Sequence, residues 1–99
     1  MTLYILAPEA LQDLQGLWDY IATENLDAAD RVIDTLFAAF ERLAAMPGLG
    51  HRREDLTDRP LRFWTVDVYL VIYRAEQTPI EIVAVTRGRR DIPRLLQHR

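Results

Sequence analysis

The stretch Pro47-Gly48-Leu49-Gly50 divides this sequence into two halves of different periodicity. Before it, apolar residues recur at the spacing of amphipathic helices; after it, they alternate or run together as they do in strands. A proline followed closely by glycines is typical of a helix stop and a turn. The sequence therefore predicts helices before this stretch and mainly strands after it.

The first half predicts two helices after a short opening strand. Leu3-Tyr4-Ile5-Leu6 is a β run, and Pro8 suits the first position of a helix that ends near Glu24-Asn25. The stripe expected to face the core comprises Leu11, Leu14, Trp18 and Ile21, widened by Leu17 and Ala22. A second helix is predicted from Leu26 to Ala45. Asn25 can either take a left-handed cap at the end of the first helix or cap the start of the second.

The second predicted helix is apolar over a broad arc, which comprises Ala29, Val32, Ile33, Leu36, Phe37, Phe40, Leu43 and Ala44. A helix with so wide an apolar surface is expected to contact two neighbours. One of them is the sheet. The other is the first helix or, as an open alternative, the helix of a binding partner.

The second half predicts three strands and a terminal helical turn. The strands comprise Leu61–Val66, Val68–Arg74 and Ile80–Thr86, and the helical turn comprises Ile92–Gln97. Alternation sets Leu61 and Phe63 on one face and Arg62 and Trp64 on the other. The segment Arg52–Pro60 is expected to be a charged loop or a short edge segment.

The predicted fold class is α+β, in the order β-α-α-β-β-β. A helical hairpin packs on one face of a small, mainly antiparallel sheet, and a short helix follows at the C-terminus. Residues 1–99 are expected to form a single domain.

Composition excludes several classes of protein. The chain has 99 residues, 49% of them hydrophobic, and no cysteine, so it has no disulfide framework, thiolate nucleophile or cysteine-rich zinc site. With only two histidines, neither a metal site nor a cofactor is expected. Because the apolar runs are short and the N-terminus lacks the layout of a signal peptide, we expect a cytoplasmic protein with no membrane association.

The charges are unevenly distributed along the chain. All 12 basic residues are arginine, whose planar fork suits carboxylates and phosphates. Residues 1–50 carry two arginines and eight acids, and residues 51–99 carry ten arginines and seven acids, so a charge of −6 precedes one of +3. The second half is therefore expected to hold whatever surface the protein offers to an anion. Because the net charge is −3, strong direct binding to nucleic acid is not expected.

Several motifs occur together in the order found in one protein family. The motifs are the Pro47-x-x-Gly50 turn after a long helix, the strand Tyr69-Leu70-Val71-Ile72-Tyr73-Arg74 and the closing Arg87-Gly88-Arg89-Arg90-Asp91-Ile92-Pro93. Together they resemble the RelE/ParE toxin superfamily, and the resemblance covers essentially the whole chain. It implies a toxin of a type II toxin-antitoxin module, held inactive in a hetero-oligomer by a ParD-like antitoxin.

The resemblance implies one of two activities. RelE-like members cut messenger RNA on the ribosome, whereas ParE-like members inhibit DNA gyrase without being enzymes. Cleavage of RNA requires a proton acceptor, a proton donor and cations that stabilise the phosphorane. The candidates for a nuclease comprise His51, Arg53, Arg62, Arg74, Arg87 and His98. The RelE pattern uses lysines and arginines with a C-terminal tyrosine, or glutamate with histidine and tyrosine. This chain has no lysine and no C-terminal tyrosine, and neither His51 nor His98 matches the pattern, so gyrase inhibition is favoured and no catalytic residue is assigned.

Two sets of contact residues are predicted on this interpretation. The target-binding set comprises Arg62, Arg74, Arg87, Arg89 and Arg90. Of these, Arg62 and Arg74 are expected on the sheet face away from the helices, with pairing to nearby acids as the alternative. The antitoxin-binding set comprises Leu14, Trp18, Ile33, Phe37, Phe40, Tyr69 and Tyr73. Leu95 and Leu96 are expected to pack against the domain and hold the closing arginines in place.

Overall fold

The computed structural model describes residues 3–88 and 91–99. Its elements are β1 (Tyr4–Leu6), α1 (Pro8–Ala22), α2 (Leu26–Ala45), β2 (His51–Arg52), β3 (Leu61–Val66), β4 (Tyr69–Arg74), β5 (Ile80–Arg87) and α3 (Ile92–Leu96). This order confirms the predicted α+β class, the helical hairpin and the short C-terminal helix. It adds the short strand β2, which overlaps the start of the segment predicted as a charged loop or edge segment.

The five strands form one sheet in the order β1-β5-β4-β3-β2. β1 pairs with β5 in parallel, and the remaining pairs are antiparallel. The apolar strand β4 occupies the centre, and the charged β2 lies at an edge. Pairing of β1 with β5 extends only from Ile80 to Ile82, so among the described residues the remainder of β5 has no strand on that side.

Each face of the sheet is covered by helix. The α1–α2 hairpin packs on one face, where Leu36, Phe40 and Tyr73 are fully buried. Helix α3 packs on the other face through Ile92 and Leu96, each 5% exposed. Its cluster in the sheet comprises Leu61, Phe63, Ile72, Val83 and Ala84. The prediction that the C-terminal leucines pack against the domain is confirmed, since Leu96 is buried and Leu95 is partly buried in this cluster.

Local sequence explains where the helices begin. Pro8 occupies the first position of α1, where a backbone N–H would have no intrahelical partner. At the start of α2, the side chain of Asn25 accepts a hydrogen bond from the N–H of Ala28 at 2.9 Å, which is the second of the two roles expected of Asn25. One member of the predicted core stripe is wrong, because Leu11 is 45% exposed. Ala10 is buried in its place, since the helix turns that neighbouring row of side chains toward the sheet.

The turn between α2 and β2 is held by one buried side chain. The hydroxyl of Tyr73 donates a hydrogen bond to the carbonyl of Pro47 at 2.6 Å and accepts one from the N–H of Gly50 at 2.8 Å. Burial raises the pKa of the Tyr73 phenol, although the hydrogen bond from Gly50 and the charge of Arg62 act in the opposite direction. The hydroxyl therefore stays protonated at neutral pH and keeps its donor role.

Gly50 is required by the closeness of this contact. A methyl group at its Cα would lie 2.7 Å from both Cε1 and the hydroxyl oxygen of Tyr73, and 3.0 Å from the carbonyl oxygen of Phe63. The tyrosine ring is fully buried and the carbonyl belongs to β3, so neither can move aside without disturbing the core. Close packing thus explains the glycine of the Pro-x-x-Gly motif.

We expect Gly50→Ala to lower the free energy of unfolding by about 2 kcal/mol, because the added methyl overpacks the contact with Tyr73. The matched control is Gly16→Ala in α1, where an added methyl meets nothing within 4 Å. That substitution should raise the free energy of unfolding by about 1 kcal/mol. Urea denaturation measures both changes. Equal effects of the two substitutions would contradict the role assigned to Gly50.

Tyr73→Phe removes the hydroxyl and leaves a carbonyl and an N–H of the turn unpaired, so we expect a loss of about 2–3 kcal/mol. Because the folded-state pKa of Tyr73 is raised, its contribution is complete below the unfolded-state value of about 10 and is lost as the pH rises above it. Thermal unfolding at a series of alkaline pH values should therefore show a steeper loss for the wild type than for Tyr73→Phe. Parallel profiles would show that the hydroxyl is not coupled to folding.

Candidate functional site

The apolar residues predicted to contact an antitoxin fall into two groups. The first is buried in the core, with exposures of 8% or less, and comprises Leu14, Phe40, Tyr69 and Tyr73. The second is half-buried and comprises Trp18, Ile33 and Phe37. The indole N–H of Trp18 donates to the carboxylate of Asp30 at 2.9 Å and so ties α1 to α2. The apolar arc of α2 is therefore occupied largely by the sheet and by α1, the first of its two alternatives.

A cleft of about 320 Å³ opens between the first half of α2 and the β3–β4 turn. Its residues comprise Ala28, Arg31, Val32, Thr35, Leu36, Val66, Asp67 and Tyr69. We call it the α2 cleft. Its interior is mainly hydrocarbon, whereas Arg31 and Asp67 are exposed and bring opposite charges to its surface. Of these residues only Tyr69 belongs to the predicted antitoxin-binding set, although Val32 and Leu36 belong to the apolar arc of α2. The cleft itself arises from the tertiary packing of α2 on the sheet.

Arg87 lies next to the α2 cleft. It is the last residue of β5 and stands directly across from Tyr69 in the β4–β5 register, so the two side chains leave the sheet on the same face. Arg87 is exposed. The N–H of Gly88 donates to the carbonyl of Val68 at 3.1 Å, which fixes the start of the following turn. Arg89 and Arg90, the other arginines of this motif, lie outside the described residues.

The prediction that Arg62 and Arg74 share an open face of the sheet is wrong. Arg62 pairs in register with Tyr73 and lies on the hairpin face, where it donates a hydrogen bond to the carbonyl of Gly50 at 2.7 Å. Arg74 pairs with Leu61 and lies on the α3 face. Successive residues of a strand point to opposite faces, so the partner of Tyr73 cannot share a face with Arg74.

Two of the candidate arginines have carboxylate partners. Arg74 lies 3.6 Å from Glu76 and 3.5 Å from Glu81. Arg53 forms a two-point ion pair with Asp55, with distances of 2.8 and 3.0 Å. Hydrogen bonding from Arg53 holds the pKa of the Asp55 carboxyl below its usual value. For Arg74, pairing with nearby acids is thus the alternative that the structure supports.

The residues considered for RNA cleavage are dispersed over the fold. His51 lies in β2 and His98 follows α3, and both are exposed. Arg74 ends β4, whereas Arg87 stands across from its first residue, which is about 17 Å away along a strand of this length. Since Arg62 and Arg74 also lie on opposite faces, the candidates do not surround one reactive centre.

The described part of the chain contains neither a cluster of metal ligands nor a membrane-spanning helix. Within residues 3–88 and 91–99, no three histidine or carboxylate side chains converge as metal ligands would. No helix in these ranges combines the length and the apolarity that crossing a bilayer requires.

An ion pair that the sequence did not reveal completes one edge of the sheet. Asp13 of α1 and Arg99 form a two-point pair with distances of 2.8 and 2.9 Å, and their side chains are 19% and 11% exposed. Asp13 also accepts a hydrogen bond from the N–H of Val85 at 3.0 Å, and Arg99 donates to the carbonyl of Val83 at 3.2 Å. Both backbone groups belong to the part of β5 that β1 does not reach, so these side chains take the place of a strand there. Hydrogen bonding to Asp13 raises the pKa of Arg99.

Comparison with known proteins decides the class of this chain. A family model described as the ParE toxin of the type II toxin-antitoxin system, parDE, matches residues 4–92. The chain belongs to the ParE toxin family. Among solved structures, a chain from the "Chromosomal ParDE TA system from P. aeruginosa" has a TM-score of 0.73 and 17% sequence identity, with 90% of this chain and 98% of that chain covered. At that identity the likeness shows the fold. The sequence matches no curated protein.

Membership of the ParE family confirms the resemblance drawn from the motifs. It makes this chain a toxin of the type II class, whose partner is an antitoxin. In this ParE toxin, the surfaces available for contacts include the α2 cleft and the exposed Arg87 beside it.

We expect Asp13→Ala to lower the free energy of unfolding of this ParE toxin by about 2 kcal/mol, because Arg99 and the N–H of Val85 lose their partner. Asp55→Ala is the matched control, since it breaks an equally short ion pair whose side chains are 48% and 61% exposed. The control should leave stability nearly unchanged. Thermal unfolding of both variants measures the difference. Losses of the same size would show that the Asp13 pair does not complete the edge of β5.

Proposed function

We propose that this toxin inhibits DNA gyrase in the cytoplasm and is neutralised by a cognate ParD-like antitoxin. The observation that carries the proposal is the match to the ParE family over residues 4–92. The dispersed placing of His51, His98 and the candidate arginines supports a binding function over a chemical one. General acid–base catalysis needs its groups within hydrogen-bond reach of one substrate.

The proposed target contact is the end of the sheet that carries Arg87 and the segment 88–91. Arg87 is exposed at the end of β5, and Ile92 and Leu96 anchor the helix α3 in the core. Exposed residues at the ends of packed elements are a usual place for binding contacts. Arg89 and Arg90 belong to this segment by sequence. Arg74 is set aside as a target contact, because two glutamates lie beside it.

The proposed antitoxin contact is the α2 cleft. A short apolar segment would bury the side chains of Val32, Val66 and Tyr69, and an acid in that segment would meet Arg31. Because Arg87 stands on the same face as Tyr69, an antitoxin segment in the cleft would cover the arginine that faces the target. Neutralisation by covering requires no change in the fold of the toxin.

A supercoiling assay tests the target. Purified toxin should inhibit the introduction of supercoils by gyrase, and Arg87→Gln should weaken this inhibition about tenfold, because a guanidinium contact to an anionic partner is lost. Arg94→Gln removes the same charge from the exposed surface of α3 and serves as the control. His98→Ala should be as toxic as the wild type. If His98→Ala abolished toxicity, and wild-type toxin cut ribosome-bound transcripts without affecting gyrase, the protein would be a RelE-like nuclease.

A binding measurement tests the α2 cleft. Arg31→Glu reverses a charge at the cleft and should weaken the complex with the cognate antitoxin about tenfold by repelling its acidic groups. Arg42→Glu makes the same change on the same helix outside the cleft and should have little effect. Isothermal titration calorimetry gives both dissociation constants. A complex equally sensitive to both substitutions would show that overall charge, and not the cleft, governs binding.

A further inference from the structure

A second cleft, of about 370 Å³, lies beyond the C-terminal end of α2, away from the α2 cleft. Arg52 of β2 and Arg62 of β3 line it, with Pro47, Pro60 and Glu76 among the other residues. The two arginines stand directly opposite each other in the β2–β3 register. Their side chains therefore leave the sheet on the same face, close together. We call this site the arginine cleft.

This juxtaposition of arginines is unfavourable for the toxin alone. Like charges directly opposite on neighbouring strands destabilise a sheet. Within residues 3–88 and 91–99, no carboxylate lies at ion-pair distance from either guanidinium. Arg62 is half-buried and donates one N–H to the neutral carbonyl of Gly50, which does not balance its charge. By contrast, Arg99, whose side chain is 11% exposed, has a two-point carboxylate partner. Glu76 lines the cleft but lies at ion-pair distance from Arg74, so neither Arg52 nor Arg62 has an anionic partner among the described residues.

We infer that the arginine cleft binds a carboxylate of the antitoxin. A planar guanidinium matches a carboxylate at two points, and two guanidinium groups can hold one carboxylate between them. The cleft also contains Glu76, and the chain has a net charge of −3. Both features disfavour the closely spaced phosphates of a nucleic acid and tolerate a single carboxylate on a protein segment. The identity of the partner rests on the proposed function.

The positions of the two clefts constrain the antitoxin segment. The α2 cleft is centred near Val32, which lies about 20 Å along the helix axis from Ala45, the last residue of α2. The arginine cleft begins two residues further on, at Pro47. An extended chain spans from one cleft to the other in about seven residues. One antitoxin segment with apolar residues at one end and an acid about seven residues away would therefore reach both clefts.

Titration calorimetry with the cognate antitoxin tests the inference through three variants. Arg52→Gln is the main one, because this exposed side chain takes no part in the turn that Tyr73 holds. Arg62→Lys keeps the charge and loses the fork, and Arg94→Gln is the control outside the cleft. We expect Arg52→Gln and Arg62→Lys each to raise the dissociation constant about tenfold, and Arg94→Gln to change it by less than about twofold. Replacing the matching antitoxin acid by glutamine should weaken binding to the wild-type toxin, but it should weaken binding to Arg52→Gln little further, because that variant has already lost the contact.

The possible outcomes separate this inference from the proposed target. Unchanged antitoxin affinity in both Arg52→Gln and Arg62→Lys would overturn it, and loss of gyrase inhibition in the same variants would then assign the arginines to the target. If these variants lost binding to a single-stranded RNA oligonucleotide while their antitoxin affinity stayed unchanged, the inference would also be overturned, because the arginine cleft would then be a phosphate-binding site. Weakened antitoxin binding would support it even if wild-type toxin left gyrase untouched, in which case only the proposed target would fail.

Discussion

The buried hydroxyl of Tyr73 is the contact on which the arrangement of both layers depends. It lies on the central strand and hydrogen bonds to Pro47 and Gly50, where the chain passes from the helical hairpin into the sheet. A buried polar group must be paired, so the hydroxyl determines where α2 ends relative to β4. The carbonyl of Gly50 in turn accepts from Arg62. One side chain therefore links the stability of the fold to the position of a candidate binding arginine.

At the edge of the sheet where β1 pairs with β5, two charged side chains bind backbone groups of β5 that β1 does not reach. β1 is too short to cover β5, and an uncovered strand exposes backbone groups that attract other chains. Asp13 and Arg99 pair with each other and with the backbone of Val83 and Val85. Since Asp13 belongs to α1 and Arg99 follows α3, this ion pair also connects the helices on the two faces. In this chain of 99 residues, backbone groups at that edge of β5 are therefore paired without an additional strand.

Arginines at different places in the fold differ in whether a carboxylate lies beside them. Arg53, Arg74 and Arg99 have carboxylate partners, Arg62 has a neutral carbonyl, and Arg87 is exposed beside the α2 cleft. The buried pair of Arg99 stabilises the protein, and all three paired arginines have little capacity left for another anion. Arg62 and Arg87 lie near opposite ends of the sheet, each next to a cleft. Such an arrangement suits an extended protein partner better than a small substrate, because the charges do not converge on a single point.

The sequence by itself determined the order and approximate bounds of the helices and of every described strand except β2, and it indicated the family, because these depend on local periodicity and short motifs. It did not determine on which face of a helix or strand each side chain lies, or which neighbour that side chain contacts. Its pattern places Leu11 in the core and Arg62 and Arg74 on one face of the sheet, and both predictions are wrong. Periodicity does not say which row of a helix meets the sheet or where strand register sets each residue. Only the tertiary structure decided that Tyr73 holds the turn, that Asp13 meets Arg99, and that Arg52 faces Arg62. None of these contacts joins residues within one helix or strand, and such pairs leave no local pattern in a sequence.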